Sequence, residues 1–237
     1  MDGASLLREL AREPGRAAVL LDVDGVLAPI VERPEDATVP EETRGELRRL
    51  AGRYALVAFI SGRADEDARR VLGLDGIEVV GEHGLGLDPA AEQWAARLHA
   101  FVDSVEWPVE RKPLSVTFHY RTAEDEQAAR AELERVAARA EGEGLVAKFG
   151  RKVLELRPPV QANKGTAVRH LLEREGLQRA LYAGDDTTDL DAFAALAGLE
   201  LAVRVAVATP EGPPELAAAA DVVVESPAGL LDVLRRL

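Results

Sequence analysis

The chain contains no cysteine, which excludes disulfides, a thiolate nucleophile and thiolate metal sites, and which fits a cytoplasmic protein. Aromatic residues make up only 4% of the 237 residues, so a core must rest mainly on Leu, Val and Ala. Positive charge is also scarce. Against 42 Asp and Glu stand 29 Lys and Arg, giving a formal net charge of -13. Nucleic acid and anionic membrane surfaces select basic partners and are not expected here. Long apolar runs are missing too. The stretch from Ala17 to Val31 is too short to span a bilayer and carries Asp22 and Asp24. Met1 to Gly15 is charged throughout and has no signal-peptide core.

What remains is ordinary globular material, 47% apolar and 30% charged, long enough for one large domain or two modest ones. Val19–Asp22, Leu56–Ile60, Ile77–Val80, Leu181–Ala183, Val203–Val207 and Val222–Val224 read as buried strands. Helical patterns alternate with them at Glu41–Leu50, Ala64–Leu72, Lys164–Arg174, Leu190–Leu196 and Pro213–Ala219, with Gly73, Gly176 and Gly198 at C-cap positions. Such alternation predicts an α/β fold with a parallel sheet covered on both faces. The middle differs. Ser115–Arg121 and Arg151–Arg157 alternate apolar and polar residues, and Ala123–Ala140 is a charged amphipathic helix. Residues 85–160 are therefore expected to form a smaller α+β unit inserted into a core made of 1–84 and 161–237.

Four short constellations carry chemistry. The first, Asp22-x-Asp24-Gly25, ends an apolar strand, where open α/β sheets bind ligands. Alternation puts both acids on one side, so they would repel unless a cation or a proton intervened. One acid could attack phosphorus while the other moves a proton. The second, Ser61-Gly62-Arg63, also joins a strand to a helix and could hold a phosphate. The third places Lys164 at a helix start, an unfavourable position for a cation without a nearby anion. The fourth clusters Asp185, Asp186, Asp189 and Asp191, more acid than capping requires and suited to Mg²⁺. Taken singly, each also reads as a cap or a wet turn. Together they fall on strand ends and helix starts along one edge of one sheet, in an order interrupted only where the inserted unit lies.

In these motifs the chain resembles the haloacid-dehalogenase-like phosphatase superfamily. More closely it resembles the trehalose-6-phosphate phosphatases, through Leu27–Ile30 with Pro34, Ile60–Arg63, His83-Gly84, Glu110-x-Lys112, His119–Arg121, Glu155-x-Arg157-Pro158 with Lys164-Gly165, and Gly184–Phe193. Two positions depart from the usual pattern: Val26 stands where the superfamily commonly has Thr, and Leu190 where the trehalose phosphatases commonly have Glu. The resemblance implies a Rossmann-like core with a type-2 cap and hydrolysis of trehalose 6-phosphate through an aspartyl-phosphate. It implies Asp22 as nucleophile, Asp24 as acid and base, and Ser61 and Lys164 as phosphoryl ligands. Mg²⁺ would be held by Asp22, the Asp24 carbonyl and Asp185, supported by Asp186 or Asp189. Substrate contacts are expected from Gly62, Arg63, His83, Gly84, Lys112, His119, Arg121, Lys152 and Glu155, with Thr117, Arg151 and Arg157 on the same polar faces. A monomer is expected. Sucrose phosphate or a glycosylated phosphoglycerate remain alternative substrates. A phosphorylatable receiver module and an inactive sugar-phosphate sensor remain alternative classes.

Overall fold

A computed structural model describes residues 2–150, 152–209 and 212–237, so Arg151 lies outside the described residues. The chain divides into two compact units. One is Met1–Gly84 with Ala162–Leu237, and the other is Leu85–Gln161.

The first unit is built on short apolar strands. β1 (Ala18–Leu21), β2 (Leu56–Ile60) and β3 (Glu78–Val80) come from the N-terminal segment. All four residues of β1 and all five of β2 are buried, as expected of parallel strands covered on both faces. The second unit interrupts the chain here. It holds α4 (Pro89–Asp103), β4 (Val109–Arg111), β5 (Val116–His119), α5 (Glu126–Gly142), β6 (Val146–Gly150) and β7 (Val153–Arg157). The first unit resumes with α6 (Lys164–Glu175), β8 (Arg179–Gly184), α7 (Asp189–Ala195), β9 (Leu201–Val207), α8 (Pro214–Ala219), β10 (Val222–Val224) and α9 (Pro227–Leu234). The three helices of the N-terminal segment are α1 (Gly3–Arg12), α2 (Glu41–Ala51) and α3 (Asp65–Leu72).

The six strands run in the order β10-β9-β8-β1-β2-β3, all in parallel. β1 is therefore central, paired with β2 through Leu21 and Phe59 and with β8 through Leu21 and Ala183. Leu7 and Leu10 of α1, Leu47 and Leu50 of α2, Val71 and Leu72 of α3, and Leu230 and Leu234 of α9 pack on one face of this sheet. Burying each such side chain contributes about 1.5–3 kcal/mol. Helices α6, α7 and α8 contact β2, β8 and β9 respectively. Gly73 and Gly176 close α3 and α6 in the left-handed conformation, at φ 60° and 64°.

In the second unit the four strands run antiparallel in the order β4-β5-β7-β6. Phe118, Val116, Leu154 and Leu156 form one core with Leu98 and Phe101 of α4 and Leu133 and Val136 of α5. The register lines up Glu110, Thr117, Glu155 and Lys148 as a row across the opposite face. No helix among the described residues is long and apolar enough to cross a membrane.

Candidate functional site

Asp22 follows the last paired residue of β1 and extends the pairing by one bond, its N–H donating to the Ala183 carbonyl (2.9 Å). Its side chain is buried beside Lys164. Lys164 Nζ donates to Asp22 Oδ2 (2.6 Å) and to Asp189 Oδ1 (2.7 Å), with only 2% of its side chain exposed. The cation at the helix start thus has its anions within the chain. The start of α6 is fixed by a capping box. Asn163 Oδ1 accepts from the Thr166 N–H (2.8 Å), and Thr166 Oγ1 accepts from the Asn163 N–H (2.9 Å).

Asp189, fully buried, is saturated. Besides Lys164, its Oδ1 accepts from the Tyr182 hydroxyl (2.6 Å), and its Oδ2 accepts from the N–H groups of Asp185 (3.0 Å) and Asp186 (2.9 Å). It therefore organises the loop after β8. Gly184 makes room for it, since a Cβ there would lie 2.2 Å from the Asp189 carboxyl carbon. Sequence reading overlooked Tyr182. The available signal was a phenol inside an otherwise apolar strand, because a buried Tyr O–H needs a partner.

Carboxylate oxygens of Asp22, Asp185 and Asp189 lie within 4.8 Å of one another. Burial, then repulsion from Asp189, raises Asp22 from 3.8 to about 7 in spite of the counteracting Lys164. Burial, then repulsion from Asp22 and Asp189, raises Asp185 to about 8. Burial alone would lower Lys164, but the two carboxylates beside it reverse the sign and raise it. One buried ammonium thus faces three carboxylates, and hard oxygen donors in negative excess fit a divalent cation. Asp189 is fully buried and accepts four hydrogen bonds, whereas Asp22 accepts one on each oxygen, from the Val23 N–H (2.7 Å) and from Lys164, and Asp185 is only partly buried, so Asp22 and Asp185 are the side chains best placed to ligate it. Gly25, at φ 72°, permits this approach, because a Cβ there would sit 2.0 Å from Asp185 Oδ2.

Asp22 and Asp24 both lie beyond the paired residues of β1, so strand alternation does not govern them. β1 ends at Leu21, and Asp24 lies in the turn that follows it, where its carboxylate is paired with Arg63. Arg63 Nε donates to its Oδ2 (2.7 Å) and Nη2 to its Oδ1 (2.8 Å). The two acids are therefore paired with different cations. Asp186 is exposed and accepts from the N–H of Thr187 (2.6 Å), outside the three-carboxylate cluster. Val26 is fully buried in the main core, so the position often held by Thr serves packing here.

Ser61 lies at the end of β2, beside β1, fully buried, its Oγ accepting from the Arg63 N–H (3.2 Å). His83 sits against Gly62, where a Cβ would come within 2.8 Å of its ring. Glu82, His83 and Gly84 all take positive φ, and the first two donate backbone bonds to the Arg63 and Ser61 carbonyls. This left-handed run pins the end of β3 to the loop after β2.

In the second unit, Lys112, His119 and Glu110 are neighbours. His119 Nε2 lies 2.9 Å from Glu110 Oε2, and Lys112 Nζ lies 3.6 Å from Glu110 Oε1. Glu155 shares their sheet face through the Glu110–Thr117–Glu155–Lys148 row. Lys148 was missed because the strand carrying it alternates poorly. Lys152 does not join this group. It occupies the turn between β6 and β7, and its Nζ donates to Glu126 at the start of α5 (2.5 Å). Arg121 is exposed in the turn after β5.

Comparisons with known proteins place the chain in a family. A family model described as trehalose-phosphatase matches residues 20–108 and 107–226. A Mycobacterium tuberculosis protein named as an uncharacterized glycosyl hydrolase is 37% identical over 80% of this chain, which spans only 16% of that protein. The trehalose-phosphate phosphatase of Mycobacterium marinum is 35% identical over 98% of this chain, which spans 65% of that enzyme. A crystal structure described as a trehalose-6-phosphate phosphatase related protein is 25% identical, with a TM-score of 0.71, covering 92% of this chain and 95% of that one. With the family model matched from residue 20 to residue 226, well over half of the chain and all of the inserted unit, the chain belongs to the trehalose-phosphatase family.

Proposed function

We propose that this protein is a Mg²⁺-dependent phosphatase that hydrolyses trehalose 6-phosphate to trehalose and phosphate through an aspartyl-phosphate intermediate. The buried Asp22–Lys164–Asp189 network, with Asp185 at its edge, carries this reading. It offers a nucleophilic carboxylate, a fixed ammonium and a second carboxylate at the ends of adjacent strands. Phosphoryl transfer asks mainly for positioning and charge neutralisation.

In this reading Asp22 Oδ attacks phosphorus in line, and the bond to the sugar oxygen breaks as Asp24 gives that oxygen a proton. Asp24 then takes a proton from water, whose oxygen attacks the aspartyl-phosphate and releases phosphate. Lys164 orients Asp22 and stabilises the transferring oxygens, and Ser61 holds the phosphoryl group from the β2 side. Asp22 and Asp185 would hold Mg²⁺, with the Asp24 carbonyl completing the protein ligands. When bound, the ion supplies charge neutralisation for the phosphoryl oxygens and the crowded carboxylates. Sugar hydroxyls are recognised by Lys112, His119 and Glu155, joined by Lys148. The units 1–84 with 161–237 and 85–160 then serve as catalytic core and specificity domain.

The deciding experiment is phosphate release from a panel of sugar phosphates, with Mg²⁺ and with EDTA. Trehalose 6-phosphate is expected to be turned over fastest, and only with the metal. Asp22→Asn is expected to lower turnover on the order of 10⁵-fold with the fold intact. Undiminished turnover in that variant would remove the covalent route.

A further inference from the structure

We infer that Arg63 is a positioning residue for Asp24, clamping that carboxylate in one orientation against α3, and is not itself a ligand of the substrate. The inference rests on the proposed role of Asp24 as the group that moves the proton.

The clamp is a two-bond fork. Nε and Nη2 of Arg63 meet the two Asp24 oxygens at 2.7 and 2.8 Å. A paired contact of this kind fixes a carboxylate in its plane as well as in position, which a lysine cannot do. The other guanidinium nitrogen, Nη1, donates to Asp67 Oδ2 (2.5 Å) and to the Pro34 carbonyl (3.1 Å). Only one N–H of the guanidinium is left without one of these partners. An arginine that binds phosphate presents such a fork to its ligand, and Arg63 has committed it to Asp24.

The anchor is itself held. Asp67 lies one turn along from Arg63, in the first turn of α3, and also accepts from Arg70 Nε (2.9 Å) and Nη2 (2.7 Å). Arg70 Nη1 in turn donates to the Glu35 carbonyl (3.0 Å). At its backbone, Arg63 is tied by its N–H to Ser61 and by its carbonyl to the N–H of Glu82 (2.7 Å). The Arg63 side chain is 12% exposed, whereas that of Asp24 is 36% exposed. A partly exposed carboxylate on a short turn has several rotamers open to it, and its less exposed partner selects one. Proton transfer is sensitive to such placement, so the clamp acts chiefly on the steps in which Asp24 moves a proton, and a guanidinium fork, which favours the carboxylate form, suits above all the step in which Asp24 takes a proton from water.

The test compares two leaving groups in a single turnover with Mg²⁺ present. One is the sugar phosphate on which the wild-type protein is fastest, whose alkoxide needs a proton. The other is p-nitrophenyl phosphate, whose phenolate departs without one. Arg63→Lys is expected to slow sugar release about 10- to 100-fold with KM within about twofold, and to change first-turnover nitrophenol release less than about threefold. Asp67→Asn, which loosens the anchor and leaves both partners in place, is expected to shift the same ratio in the same direction. In an Asp24→Asn background, Arg63→Lys is expected to cost nothing further. A rise in KM for both substrates would mark Arg63 as a phosphate ligand and overturn the inference. Equal slowing of both leaving groups, or an additive loss in the Asp24→Asn background, would overturn it as well. If Asp24→Asn alone leaves sugar release unchanged, the role of Asp24 falls and the clamp with it. If Asp24→Asn is inactive while Arg63→Lys is silent, only the clamp falls.

Discussion

A phenolic oxygen completes the acid network from beneath. Asp189 Oδ1 faces both the Lys164 ammonium and the Tyr182 hydroxyl, and the phenol keeps that oxygen aimed at the ammonium shared with Asp22. Tyr182 is fully buried, and its ring meets Phe193 edge-on at 6.1 Å. Tyr182→Phe removes the hydroxyl and keeps this packing. The expected result is a fall in unfolding free energy of about 1–3 kcal/mol by urea titration, the range for a bond to a charged acceptor. A fall in kcat of about 10-fold with KM unchanged is expected in steady-state kinetics, because Lys164 loses its alignment. At this scale the sequence was informative where polar residues interrupt apolar strands, as at Asp22, Ser61 and Asp185. It was silent on partners. Nothing in the spacing of Asp24, Arg63 and Asp67 says that one guanidinium serves two carboxylates, because that depends on the course of a turn.

Helix α6 owes its position to its first four residues. The Asn163–Thr166 box satisfies N–H groups that the helix cannot, and it sets Lys164 as the first helical residue. Asn163→Ala is expected to cost about 1 kcal/mol in thermal unfolding and to reduce phosphatase activity. Asn163→Ser, which can still cap, is expected to recover most of both. Elements were legible where burial on two faces left a continuous apolar run: β2 was read to the residue, and β8 only lacked its ends. The edge strand β10 was also read to the residue, from its run of three valines, although none of them is fully buried. The edge strands β4 and β6 were not legible. One is three residues long, and the other carries Lys148 and exposed positions, so neither alternates cleanly. Helices α1, α4 and α9 were also passed over, although α1 and α9 bury Leu7, Leu10, Leu230 and Leu234 against the main sheet.

For the whole molecule, the acid cluster links stability to pH and to metal. Asp22 and Asp185 rise from 3.8 to about 7 and about 8 on folding. Between about pH 4 and 8 the folded state therefore holds more protons than the unfolded state, and stability falls as pH rises through this window. Without divalent ions, the melting temperature is expected to be higher near about pH 5.5 than near about pH 8. Mg²⁺ is expected to raise it more at the higher pH, where the carboxylates have lost their protons. Calorimetry at the two pH values, with EDTA and with Mg²⁺, checks both. An equal metal effect at both would argue against these carboxylates as the ligands.

The central place of β1 has a further consequence. Its neighbour β2 is made soon after it, but its other neighbour, β8, follows only after the whole second unit. On a ribosome, the nascent strand that leads into Asp22 keeps one bare hydrogen-bonding edge while residues 85–161 are translated. That open edge is a place for a chaperone to hold or for a wrong strand to add. An inserted unit with its own apolar core can fold during the wait, which leaves the parallel sheet as the last part to close.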